Sequence, residues 1–162
     1  MHIVFINGIA RSGKDTFVEY CAKYKSVSLI STVDAVKDIC RREFGWDGIK
    51  DDKGRKLLAS IRKVWAEYND GPVNTVRNHI EKSKDVAILF IMVREFDEMI
   101  RMQDLFGGST LNIIRPDIEI CETEQKFLDM VPNDYDYNLV IVNDSDLSNL
   151  DLAAKQFCSL FN

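Results

Sequence analysis

Proline and histidine are scarce in this sequence, three and two residues in 162, and glycine is limited to eight. That poverty excludes collagen-like and low-complexity chains, and 46% hydrophobic residues exclude a disordered one. Long apolar runs are also missing. The longest, residues 86 to 93, is far too short to span a bilayer, and no membrane association is expected. The four cysteines, Cys21, Cys40, Cys121 and Cys158, form no C-x-x-C pair and have no histidine at ligand spacing, which argues against a disulfide framework or a zinc site. A reducing cytoplasm is the expected compartment, since the N-terminus opens into a strand-like run and not a signal peptide. Acidic residues outnumber basic ones 26 to 21, a net charge of -5, so a global positive field for coating long nucleic acid is excluded.

What is present is an alternation of strand and helix signals without repeat or linker, which predicts one domain over residues 1–162. His2 to Ile6 is a continuous apolar run ended by Asn7-Gly8, the pattern of a strand buried on both faces. Helical spacing follows over 14 to 24, then a short strand over Val27 to Ile30, and a helix that Ser31 or Thr32 can cap and Gly45 ends. Residues 54 to 69 carry Leu57, Leu58, Ile61, Val64, Trp65 and Tyr68 at amphipathic spacing, and Pro72 opens a helix to about Lys82. Val86 to Val93 reads as the strongest buried strand. It leads into a helix over 95 to 106, a strand over Thr110 to Ile114, an acidic irregular stretch over 117 to 135, a strand over Leu139 to Val142 and a closing helix. The expected fold is an α/β three-layer sandwich around a five-stranded, mostly parallel sheet.

The loop after the first strand reads Gly8-Ile9-Ala10-Arg11-Ser12-Gly13-Lys14-Asp15-Thr16. This is G-x-x-x-x-G-K, with Asp15 where the pattern has Ser or Thr and Thr16 one place later. Two glycines let the backbone wrap closely, successive amides and a helix N-terminus face phosphate oxygens, and a lysine reaches the β and γ phosphates. Its placement between a buried strand and an amphipathic helix makes a nucleotide phosphate site the expected role, and the fold expected is that of P-loop NTPases. A carboxylate beside phosphate repels it unless neutralised. Asp15 therefore either ligates Mg2+, directly or through water, or turns toward Arg11 and orients the loop. Thr16 is placed to donate to a phosphate and to share in the metal site.

The string Ala10 to Thr16, then Asp34-Ala35-Val36-Lys37-Asp38, then Phe44-Gly45-Trp46-Asp47-Gly48 leading into Asp51 to Leu58, resembles the phage-type deoxynucleoside monophosphate kinases. Weaker similarity continues through Val93-Arg94, Arg115, Tyr135-Asp136-Tyr137 and Val140 to Asp144, so it covers nearly the whole chain. The resemblance implies a nucleoside monophosphate kinase-like fold and transfer of the ATP γ-phosphoryl group to a deoxynucleoside 5′-monophosphate with Mg2+. It places Arg11, Lys14, Asp15 and Thr16, with Gly8, Ser12 and Gly13, at the ATP phosphates. Asp34 and Lys37 fall at the acceptor pocket, and Arg94 on the transferring phosphoryl or the acceptor phosphate. The catalytic set so implied is Lys14, Arg94 and Asp34, with 34–70 as the acceptor-binding helical segment and 94–108 as a short lid. The family often has an acidic residue two places before that arginine. This chain has Met92 there.

Charge is segregated along the chain. Residues 36 to 65 hold nine basic side chains against five acidic, a balance of +4, whereas 116 to 162 hold ten acidic against two basic, a balance of -8. A local positive balance favours small-molecule nucleotides as ligands despite the overall acidity. Of Lys37, Arg41 and Arg42, placed on the turn after the second strand where an acceptor phosphate would arrive, at least one is expected to receive it. Trp65 and Tyr68 read as core, with stacking of one of them, or of Trp46, on the acceptor base as the functional alternative. Arg115 is expected to border the ATP base. Two other functions fit the loop: a different small-metabolite kinase, since animal-type phosphomevalonate kinase has a similar S-G-K-D loop, and a nucleotide-binding regulatory protein without turnover. A homodimer stays open.

Overall fold

The computed structural model describes residues 1–93, 95–118, 135–144 and 146–161. The chain divides into two compact units, one of Met1–Leu29 with Ser83–Asn162 and the other of Ile30–Lys82.

In the first unit five strands, β1 (His2–Asn7), β2 (Val27–Ser31, whose last two residues belong to the second unit), β3 (Ile88–Met92), β4 (Ser109–Ile114) and β5 (Leu139–Val142), form a parallel sheet in the order β2-β3-β1-β4-β5. The first strand is central because it is apolar on both faces. It pairs with β3 through Val4 opposite Phe90 and with β4 through Ile6 opposite Leu111. Period-two alternation then divides the side chains between two helical layers. Val4, Ile6, Ile88, Phe90, Leu111 and Ile113 join Phe17, Val18 and Cys21 of α1 (Lys14–Cys21) and Leu150, Ala154, Phe157 and Cys158 of the closing helix, which we number α6 (Leu147–Ser159), in one buried cluster. Phe5, Leu89 and Ile91, out of phase with these, are fully buried too, and α5 (Phe96–Phe106) packs on β1 with Met99 and Met102 fully buried. The segment expected as a short lid is thus in large part a helix rooted in the core. Asp146 caps α6 by accepting from the amides of Ser148 and Asn149.

The second unit holds α2 (Thr32–Phe44), α3 (Asp52–Asn69) and α4 (Gly71–Lys82), each packed on the other two. Thr32, Val36 and Cys40 repeat every four residues and are buried, as are Val73 and Val76 of α4. Ser31 takes the N-cap position of α2 without a side-chain bond, while Gly45 ends the helix in the left-handed conformation as its sequence predicts. Before α3, Asp47 accepts from the amide of Ile49, and Asp51 caps the helix by accepting from Gly54 at 2.7 Å. Gly54 has no room for a side chain: a Cβ there would lie 2.2 Å from the Ile49 carbonyl. The α3 stripe is shallower than its spacing suggests. Trp65 is half-buried with its ring against Gly71, but Val64 is 63% and Tyr68 84% exposed, so Tyr68 is no core residue. A three-helix unit this small has too little interior to cover every apolar position of an 18-residue helix.

Cys21, Cys40 and Cys158 are free and buried; Cys121 lies outside the described residues. Although 137 residues apart, Cys158 Sγ reaches the Cys21 carbonyl at 3.7 Å, joining α6 to α1. Burial pushes all three thiols up from their ordinary 9.0. Peptide mapping after iodoacetamide treatment at pH 8 should find these three unlabelled until denaturant is added; labelling of the native protein would contradict the packing described. Because the unfolded chain releases these protons near pH 9 and the folded chain does not, stability falls as pH rises past the ordinary thiol range.

Candidate functional site

The carboxyl end of β1 runs into the loop and the loop into α1, so Gly8 to Thr16 converge at the middle of the sheet edge, where open α/β sheets bind their ligands. Two residues of this loop adopt the left-handed region, Arg11 at φ 64° and Gly13 at φ 99°, and Gly8 stands at φ 137°. A side chain at Gly8 would meet the Ile113 carbonyl at 2.5 Å and Ser12 Oγ at 2.7 Å. Both glycines are therefore required by contact as well as by conformation. Arg11 is the non-glycine exception, an exposed residue in a conformation that costs about 1 kcal/mol or more and recurs at ligand-binding turns.

Lys14 folds back over the loop, its Nζ donating to the carbonyls of Gly8 at 2.6 Å and Ile9 at 2.7 Å. The helix proper begins at this lysine, and the first internal bond across its start runs from Phe17 N to the Gly13 carbonyl at 2.8 Å. The amides of the first turn are thus left with the positive end of the helix dipole and no intrahelical acceptor. Asp15 is exposed and Thr16 half-buried in that turn.

Ser12 is fully buried, and among the described residues its hydroxyl has no hydrogen-bond partner. A buried polar atom without a partner costs on the order of 1–3 kcal/mol, and here it stands 2.7 Å from where a Gly8 Cβ would lie. A phosphate chain fits these features: glycine-lined space, an orphaned hydroxyl, a lysine and a helix N-terminus. A divalent cation fits less by enclosure than by supplement, since no cluster of three His, Cys, Asp or Glu side chains exists among the described residues. Mg2+ commonly keeps several waters and takes one or two protein ligands beside the phosphates, a requirement Asp15 and Thr16 can meet.

Two contacts were not foreseen from the sequence. Asn143, the residue after β5, is 8% exposed and donates from Nδ2 to the Ser12 carbonyl at 2.9 Å. Asn7, the last residue of β1, is buried and donates from its amide to the hydroxyl of Tyr137 at 3.1 Å. Tyr137 stands edge-on to Tyr135, which stands edge-on to Phe96, and burial pushes the Tyr137 hydroxyl up from its ordinary value. The sequence shows each asparagine at the carboxyl end of a strand but not the partner it reaches.

The other expected site residues divide between the units. Arg115 directly follows β4 and is exposed. Arg94 lies outside the described residues. Asp34, Lys37, Arg41, Arg42 and Trp65 belong to the second unit. Lys37, Arg41 and Arg42 stand on α2 itself, not on a turn after β2, because that helix begins directly at Thr32. Each is paired on the surface: Lys37 with Asp34 at 2.5 Å, Arg41 with Asp38 at 3.0 Å and Arg42 with Glu43 at 2.5 Å. Arg41 also lies over the ring of Trp46, 5.5 Å from its centroid.

The sheet order, the loop at the end of its central strand and the helix that the loop opens define the fold of the P-loop kinases. The chain is similar in structure to TT1252 from Thermus thermophilus, at 14% identity and a TM-score of 0.63, over 99% of this chain and 98% of that one. It is similar to dephospho-CoA kinase from Campylobacter jejuni, at 13% identity and a TM-score of 0.58 over 99% and 97%. Shikimate kinase from Aquifex aeolicus matches at 12% identity and a TM-score of 0.50 over 99% of both chains. No family model and no curated protein matches the sequence.

Proposed function

We propose that the protein transfers the γ-phosphoryl group of ATP to a phosphorylated small acceptor, a (deoxy)nucleoside 5′-monophosphate, giving the diphosphate. The observation that carries this reading is the loop: a strained, glycine-lined turn with a buried hydroxyl lacking a protein partner, opened by Lys14 onto a helix N-terminus. The nucleotide acceptor rests on the resemblance of residues 10–16, 34–38 and 44–58 to the phage-type kinases.

ATP with Mg2+ supplies the phosphoryl group and neutralises part of the charge on its oxygens. Phosphoryl transfer asks little covalent chemistry of a protein and much alignment. The amides of the loop and of the first turn of α1 hold phosphate oxygens, the Ser12 hydroxyl donates to one of them, and Lys14 places a positive charge where negative charge develops. Asp15 and Thr16 would hold the metal. The resemblance offers Lys37, on α2, for the acceptor phosphate. Its ion pair with Asp34 is exposed, the two side chains 23% and 61% accessible, and such pairs are worth about 1 kcal/mol or less, so a phosphate displaces the carboxylate readily.

A coupled ADP-release assay over the four deoxynucleoside monophosphates, UMP, AMP and phosphomevalonate tests the proposal. Turnover with at least one nucleotide is expected. Turnover with phosphomevalonate alone would move the assignment to the other kinase, and ATP binding with every acceptor silent would make the chain a nucleotide-binding regulator. With the active acceptor in hand, Lys37→Ala should raise its KM by about 10- to 100-fold, the worth of one charged hydrogen bond, and leave ATP affinity unchanged.

A further inference from the structure

The contact between Asn143 and the loop ties the phosphate site to a second strand end. Asn143 is held by its own backbone, whose amide donates to the Ile114 carbonyl at 2.7 Å, so its side chain projects from the seam between β4 and β5. From there Nδ2 donates to the Ser12 carbonyl at 2.9 Å, a bond buried from solvent. The peptide joining Ser12 to Gly13 is planar and trans, so fixing its carbonyl toward Asn143 turns the Gly13 amide the opposite way, away from Asn143. The contact is close as well as polar. A Cβ on Gly13 would lie 2.6 Å from Asn143 Nδ2, so the asparagine occupies the space that the glycine leaves.

We propose that Asn143 is a positioning residue for the phosphate loop: its side-chain amide sets the Ser12–Gly13 peptide so that the Gly13 N–H and the first turn of α1 face the ATP phosphates. The inference rests on the nucleotide-binding function proposed above. Asn143 touches neither substrate nor reacting atoms. It acts by fixing one peptide plane, and removing its amide leaves a buried carbonyl unpaired and that plane free to rotate.

Two variants test it, with ATP affinity measured directly by calorimetry beside the melting temperature. Asn143→Ala should bind ATP about tenfold more weakly, the worth of one buried hydrogen bond, with the acceptor KM unchanged. Asn143→Asp has nearly the same shape but sets an acceptor against the Ser12 carbonyl at neutral pH, so its affinity should fall further. Buried against a carbonyl oxygen, its carboxyl is held above the ordinary aspartate range, so on acidification from about pH 8 to about pH 5 it becomes a donor and its affinity should rise toward that of the wild type measured at the same pH. A merely structural role predicts no such pH-dependent recovery. Wild-type ATP affinity in both variants would overturn the proposal while leaving the nucleotide site in place. Failure of the wild type itself to bind ATP would remove both. Should Asn143→Ala not fold, the pH profile of Asn143→Asp decides alone.

Discussion

Replacement of Lys14 by alanine should lower the rate of ADP release by about 10²- to 10³-fold, the usual cost of removing one preorganised charge or donor from a transition state. The ammonium is held at the mouth of the loop by two backbone carbonyls, which can turn to water once it is gone. Its loss should therefore be felt in binding and turnover and little in the melting temperature. Lys14→Arg should not restore activity, because a planar fork with five donors does not fill the place of a compact ammonium between the Gly8 and Ile9 carbonyls. Wild-type turnover in Lys14→Ala would mean that this loop does not serve a transferring phosphoryl group.

Phe17→Ala should remove about 3–5 kcal/mol of stability, a large part of the 5–15 kcal/mol that holds a typical domain folded. Phe17 is wholly buried one turn after Gly13 and stands edge-on to Phe157 at 5.4 Å and to Phe90 at 6.4 Å, while those two stack at 5.9 Å. The three rings join α1, β3 and α6, so the cavity has rigid walls on each side and little means of collapse. At this chain length the melting temperature should drop by roughly 6 to 20 °C. Phe17→Leu, which keeps most of the volume, should cost about 1.5 kcal/mol or less. A loss below 1 kcal/mol for Phe17→Ala would contradict the ring cluster as the anchor of α1.

Much of this architecture was legible in the sequence because the signals were strong and local. The apolar runs at His2 to Ile6 and Val86 to Val93 carry no polar interruption and became the adjacent strands β1 and β3. The spacing of Gly8, Gly13 and Lys14 defined the loop because each residue type meets a separate local demand of conformation or reach. Tyr68 misled because periodicity reports which side of a helix is apolar and not whether a partner is wide enough to cover it. A turn holding Lys37, Arg41 and Arg42 conflicts with the Ser31 or Thr32 cap and the Gly45 stop, which already enclose all three in one helix, and β2 passes directly into that helix. Asn143 was invisible for another reason. Its significance lies in a bond to a residue 131 positions away, and nothing in the neighbourhood of either residue encodes that distance.

The placement of β1 at the centre of the sheet also constrains how the chain can be made. Both of its neighbours lie far downstream, β3 at Ile88–Met92 and β4 at Ser109–Ile114. The second unit, by contrast, is one unbroken stretch from Ile30 to Lys82. During synthesis its three helices have all their mutual partners once residue 82 has emerged, whereas β1 must wait for β3 and β4, which follow that residue. The loop between β1 and α1 is thus translated well before the strands β3 and β4 that flank β1, and 131 positions before Asn143, whose side chain bonds the Ser12 carbonyl.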